Sequence, residues 1–162
     1  MFLLRAAEPP ALAVYEYVAA HGPVDAVATI RNGTAPSAVL GEITRPDARI
    51  DDDLRALDDG TARLLTPEDD EWPIDQLSSL GARHGVPLAL WVRGSGSLTD
   101  LTRSAVTVTG ARASTEYGDA VARDLSRDLV HAETTVVSGG GLGVDEAAHR
   151  AALAARGRTI VV

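Results

Sequence analysis

The chain of 162 residues has no cysteine and no lysine, and its aromatic side chains make up only 4% of the total. Without cysteine there are no disulfides and no thiolate zinc site, which fits a reducing compartment. Without lysine there is no GxxxxGKS/T phosphate loop, so classical nucleotide triphosphatase chemistry is not expected. Few aromatics leave little surface on which bases can stack. No apolar run approaches the roughly 18 residues of a membrane span, and the opening MFLLRAAEPP is too brief for a signal peptide. These absences predict a globular protein of the cytoplasm, without membrane contact, metal or cofactor.

Of the residues present, 45% are hydrophobic, enough for a core, and the length suits about one domain with room for a small module. The net charge of −8 argues against nucleic-acid binding by bulk electrostatics. The charge is unevenly spread, however. Residues 1–100 carry 8 Arg against 16 Asp plus Glu, whereas residues 101–162 carry 7 of each. Every basic residue other than histidine is arginine, the side chain whose planar fork fits a phosphate best.

The punctuation of residues 1–60 predicts a helical module. PALAVYEYVAAHGPVDAVATIR reads as two short helices with His21-Gly22-Pro23 as stop and restart, and SAVLGEI and DDDLRALDDG suggest two more. From residue 61 onward a second domain is expected. ARLLTPEDDEWP looks like a short strand and an acidic, proline-ended loop, IDQLSSLGARHG an amphipathic segment, PLALWVRG another strand, and SLTDLTRS a short helical patch.

After Ser104 the pattern becomes regular. AVTVTG and TTVVSG read as strands, YGDAVARDLSRDLVHA as a helix with Val121, Leu125 and Leu129 at helical spacing, VDEAAHRAALAARG as a second helix and RTIVV as a third strand. Strand, helix, strand, helix, strand in this order predicts an α/β fold with a Rossmann-like parallel sheet and crossover helices, an incomplete half of the full arrangement. RTIVV would be exposed along one side if nothing pairs with it.

In such sheets ligands bind beyond the carboxyl ends of the strands, where Thr109-Gly110-Ala111-Arg112 and Ser138-Gly139-Gly140-Gly141 fall. The second turn opens a helix, whose free N–H groups and positive dipole end favour an anion, and glycine lets a phosphate approach the backbone. A tight strand-to-helix turn with no ligand explains the glycines equally well. The dinucleotide fingerprint is not matched, because the glycines follow the second strand at a different spacing.

Arg112 would project over the same edge and fork a phosphate, unless Glu116 pairs with it. Ser114 or Thr115 is expected to cap the following helix. Asp145 and His149, four apart, share a helix face and are placed for mutual contact, with Asp145 tying down the glycine loop more readily than serving acid-base chemistry. Packing is favoured over base stacking for Tyr117.

Several ordered blocks resemble the DNA-processing protein A (DprA/Smf) family. LLTPEDDEWP followed by PLALWVRG resembles the family's lead-in. AVTVTGARASTEYG is similar to its strand and G-S/T-R-x-x-S/T-x-Y-G turn, VVSGGGLGVDEAAHRAAL to its SG-x-x-x-G-I/V-D-x-x-AH block, and GRTIVV to the strand that follows. The helical residues 1–60 resemble the sterile-alpha-motif-like module that often precedes that core. The match covers only the N-terminal part of the family's Rossmann-like domain, residues 61–162.

The resemblance implies single-stranded DNA binding without catalysis, delivery of the strand to the RecA recombinase, a role in natural transformation, and homodimers. Carried over by residue, Gly110, Arg112, Ser138, Gly139, Gly140 and Gly143 would bind phosphate, with Tyr117, Asp145 and His149 as supporting motif positions. Leu142 stands where many members have arginine. Two alternatives remain at this point. The lysine-decarboxylase-like phosphoribohydrolases carry a P-G-G-x-G-T turn and a catalytic glutamate; here Ser138 and Val144 replace the proline and threonine, and Glu146 is the nearby glutamate. The other is a protein-contact fragment that binds no DNA.

Overall fold

Short helices dominate the first sixty residues because proline and glycine interrupt the chain so often. In the computed structural model, which describes residues 1–80 and 85–162, these are α1 (Phe2–Ala6), α2 (Leu12–His21), α3 (Pro23–Arg31), α4 (Ser37–Gly41) and α5 (Asp51–Asp58). Pro23 starts α3, where its missing N–H has no partner to lose. The acidic run Asp51, Asp52 and Asp53 occupies the first turn of α5. No local side chain caps α2. Instead Glu42 reaches back, its carboxylate accepting from the N–H groups of Ala13 (3.1 Å) and Val14 (2.8 Å).

The core of this part is Phe2, Leu3, Ala6, Val14, Ile30 and Val39. The Arg5 guanidinium closes it with a two-pronged bond to Asp53, at 3.0 and 2.5 Å. Asp53 is only 5% exposed, and its hydrogen bond to Arg5 holds its carboxyl below the usual carboxylate range. A group so lowered stabilises the fold fully above the pKa it has when unfolded, and that contribution is lost as pH falls through the folded value. Asp53→Asn should therefore destabilise the protein by about 1–2 kcal/mol at neutral pH, the half-exposed arginine limiting the effect. The gap to wild type should close in acid. Urea unfolding at pH 7 and pH 3 checks both, and an equal gap at the two values would contradict this role for the pair.

Two strands, β1 (Arg63–Leu65) and β2 (Leu90–Val92), pair antiparallel, with Leu64 opposite Trp91. The acidic loop between them is held to β1 by the ion pair of Arg63 with Glu71 (2.9 Å), and Trp72 is buried. The expected amphipathic segment begins as α6 (Ile74–Leu77) and a 3-10 turn at Ser78–Leu80. Residues 81–84 of that segment lie outside the described residues. By internal contacts the chain divides into two compact units, Met1–Ser95 and Gly96–Val162. Within the first unit β1 contacts α5 and Leu88 packs against the helical core.

The second unit begins with α7 (Leu98–Thr102) and then follows the expected alternation: β3 (Ala105–Thr107), α8 (Glu116–His131), β4 (Thr135–Ser138), α9 (Val144–Ala154) and β5 (Thr159–Val161). The strands are parallel in the order β3-β4-β5, with Val106 beside Val136 and Val137 beside Ile160. Both crossover helices pack on β4 and on each other. Their contact uses small side chains, Ala122 and Ser126 on α8 and Ala147, Ala148, Ala151 and Ala152 on α9, all buried. Two of the three apolar positions that identify α8 as a helix are not ones it buries, for Val121 and Leu125 are 47% and 45% exposed, while Leu129 packs against the core. The edge strand β5 leaves Val161 and Val162 exposed, as the sequence suggests.

Candidate functional site

Both glycine turns lie beyond the carboxyl ends of neighbouring parallel strands, the first after β3 and the second after β4. They interlock through backbone. The carbonyl of Ala111 accepts the N–H of Val144, the first residue of α9, at 3.2 Å. Gly143, which precedes it, has φ +79 and ψ −126, and a Cβ there would stand 2.4 Å from the Ala111 carbonyl oxygen and 2.6 Å from that of Arg112. Gly110 lies so close to Val144 that its Cβ would come within 2.9 Å of a valine methyl. Side chains are thus missing at 110 and 143 so that the two turns can touch.

The second turn is rich in unused donors. Among the described residues no protein acceptor takes the N–H groups of Gly139 through Gly143, or those of Asp145 and Glu146 in the first turn of α9. Uncommitted amides and the positive end of a helix dipole form an anion-binding concavity. Arg112 lies against it, its Cγ and Nε each 3.8 Å from where a Cβ on Gly141 would sit. The guanidinium is exposed and makes no hydrogen bond or ion pair among the described residues, so the expected competitor Glu116 does not hold it. Gly140 is exposed, with only Val161 within contact of a Cβ at 3.5 Å.

Ser138, expected to bind phosphate, and the motif positions Asp145 and His149 lie around the base of the second turn. Ser138 is 1% exposed; its hydroxyl is buried with no partner among the described residues, and its carbonyl accepts the N–H of Val162, so it braces the turn from within. Asp145 and His149 share a face of α9 but no bond joins them. The Asp145 carboxylate packs behind the loop, with Oδ2 2.8 Å from a Cβ on Gly139 and Oδ1 buried. His149 bridges elsewhere, with Nε2 3.0 Å from the Gly139 carbonyl and Nδ1 2.7 Å from the Thr159 hydroxyl. Thr159, which the sequence reading passes over, was detectable only as a lone polar residue in an otherwise apolar strand.

Tyr117 is 79% exposed in the first turn of α8 and is not packed as expected. Thr115 caps that helix by accepting from Gly118 N–H at 3.1 Å. Ser114 donates to Asp119. The glutamate required by the hydrolase alternative is engaged, since Glu146 pairs with Arg150 at 2.7 Å. Among the described residues no cluster of His, Asp or Glu could hold a metal ion, and no helix is long and apolar enough to cross a membrane. Among the described residues the site is therefore a cradle of uncommitted amides with the Arg112 guanidinium beside it.

The chain is similar to proteins of one family. Residues 63–162 match the family described as DNA recombination-mediator protein A. The putative DNA processing proteins DprA of two Mycobacterium tuberculosis strains are 41% identical over 172 residues, covering 99% of this chain and 44% of their own length. The X-ray structure of DNA processing protein A from Streptococcus pneumoniae superposes with a TM-score of 0.62 at 27% identity, over 94% of this chain and 52% of that one. The chain thus spans less than half the length of the curated relatives it matches. Their names denote DNA processing and recombination mediation, not a catalysed reaction.

Proposed function

The chain belongs to the DNA recombination-mediator protein A family, a family of DNA-processing proteins, and from that premise we propose that its Gly96–Val162 unit binds single-stranded DNA by the phosphates. The observation that carries this reading is Arg112, an exposed arginine without a partner among the described residues, lying over a turn whose amides are equally uncommitted among them. A phosphate placed there accepts from the amides of the Gly139–Gly143 turn and from the guanidinium fork. Gly110 and Gly143 let the two turns close around it, and Ser138, Asp145 and His149 support the walls.

Bases on the bound strand point away from the cradle. Tyr117, exposed beside the first turn, offers one of them a stacking surface of about 1–3 kcal/mol. The balance of 7 Arg against 7 acidic residues over residues 101–162 keeps affinity modest. In this reading residues 1–60 form the helical module and 61–162 the DNA-binding core. The protein acts in the cytoplasm, as a homodimer, passing the strand to the RecA recombinase during recombination or natural transformation. These last assignments rest on the family resemblance.

Fluorescence anisotropy of a labelled oligothymidine titrated with the full chain tests the binding step. Affinity should fall steeply from low to moderate salt, with a log-log slope of about −0.7 for each phosphate neutralised. A folded chain that leaves the oligonucleotide free at low salt would overturn the proposal. Release of free base and ribose 5-phosphate from a nucleoside monophosphate would instead favour the hydrolase alternative.

A further inference from the structure

A peptide between two glycines has little to hold it in one orientation. With no Cβ on either side, Gly139-Gly140 can rotate its plane at small steric cost, so an amide donor there is not preorganised by the backbone alone. In this protein an outside group fixes it. The Gly139 carbonyl, which can only accept, is met at 3.0 Å by Nε2 of His149, so that nitrogen carries a proton and donates. The Nδ1 side contacts the Thr159 hydroxyl at 2.7 Å, and that hydroxyl lies 2.8 Å from the Val136 carbonyl. Whichever way the hydroxyl hydrogen points, Nε2–H is directed at the Gly139 carbonyl.

The consequence follows from peptide geometry. Across a trans peptide the carbonyl and the next N–H are antiparallel, and the only cis bond among the described residues is Pro9-Pro10. Drawing the Gly139 carbonyl toward α9 turns the Gly140 N–H away from it, to the exposed side where no protein acceptor takes it. We infer that His149 is a positioning residue for the phosphate cradle, presenting the Gly140 N–H to the anion, and that Thr159 on β5 holds the imidazole in place. The inference rests on the phosphate reading of the site and adds to it the device that preorganises one donor. It also gives His149 a role independent of Asp145, which makes no bond to it.

The test separates the two ring nitrogens. Counting bonds from Cβ, the glutamine amide nitrogen falls where Nε2 lies, and the asparagine amide nitrogen where Nδ1 lies. His149→Asn keeps a group for Thr159 but loses the bond to Gly139; His149→Gln keeps the bond to Gly139. The full chain and both variants are titrated with oligothymidine at low salt, their melting is compared, and the Gly140 amide is followed by proton-nitrogen NMR, with Arg112→Ala in parallel.

His149→Asn should bind about tenfold more weakly, the effect of losing one donor to a charged acceptor, while His149→Gln recovers most of that loss at a similar melting temperature. The Gly140 resonance should move in the asparagine variant, remain near its wild-type position in the glutamine variant, and shift on adding oligothymidine only where affinity is retained. Wild-type affinity in the asparagine variant, or equal losses in both variants that follow their melting temperatures, would overturn the inference. Absence of salt-sensitive binding by wild type, with Arg112→Ala silent, would overturn the phosphate reading and this role together. The position of the Gly140 resonance in the free variants would still show whether His149 sets the peptide.

Discussion

Gly143→Ala is expected to unfold or badly misplace the second turn and to reduce oligothymidine binding below detection. Two independent penalties combine at this position. Its φ of +79 with ψ −126 lies where a residue with a Cβ is strained by about 1–3 kcal/mol. The added carbon would also stand 2.4 Å from one carbonyl oxygen and 2.6 Å from another, both backbone atoms that no rotamer change can move. Overpacking of this kind typically costs a further 1–3 kcal/mol, so the total is about 2–6 kcal/mol, a large share of a small unit's stability.

Gly140→Ala provides the contrast, because the nearest atom to its added carbon is a Val161 methyl at 3.5 Å and its backbone is not left-handed. Its effect on stability should stay within about 0.5 kcal/mol. Thermal or urea unfolding of the two variants is the check. Similar melting for both would mean that the turns do not interlock through Ala111 and Arg112 as described.

Arg112→Ala should leave stability within about 0.5 kcal/mol of wild type, since the side chain is exposed and bonds to no described residue. Its effect on DNA binding should be large. Removing a forked, charge-assisted bond to a phosphate is worth about 1.5–3 kcal/mol, or roughly tenfold to a hundredfold in affinity. The salt dependence should lose about 0.7 from its slope, the share of one phosphate on a single strand. Arg112→Lys should restore part of the slope but little of the affinity, because a point charge does not replace a planar fork. Unchanged affinity and slope in Arg112→Ala would place the anion elsewhere and remove the central support for the proposed function.

Much of this was legible in the residues themselves. His21-Gly22-Pro23 marks a helix break because proline has no N–H with which to continue the ladder, and α2 ends and α3 begins there. AVTVTG, TTVVSG and RTIVV read as strands, with helices between them, because β-branched runs and helical spacing are properties of local sequence. The placing of Gly110, Arg112 and the Ser138 turn at one sheet edge followed from parallel topology, which the alternation of elements implies. The resemblance to the DprA/Smf family, carried by the same blocks, agrees with the family match over residues 63–162.

Other features could not be read along the chain. Helical spacing shows that α8 is a helix but not which face it buries; α9 presents alanines, so close approach favours Ala122 and Ser126 and leaves Val121 and Leu125 in solvent. Spacing of four suggested that Asp145 meets His149, yet the parallel register brings Thr159 and the Gly139 carbonyl nearer to the imidazole. Tyr117 is exposed because it falls in the first turn of α8, outside the helix contact. Sequence by itself determined the elements, their order and the edge at which the glycines gather, since these depend on backbone propensities and short-range spacing. Only the tertiary structure decided which carbonyl His149 holds and why Gly143 must be glycine, because both depend on atoms from segments ten to thirty residues apart meeting across the sheet.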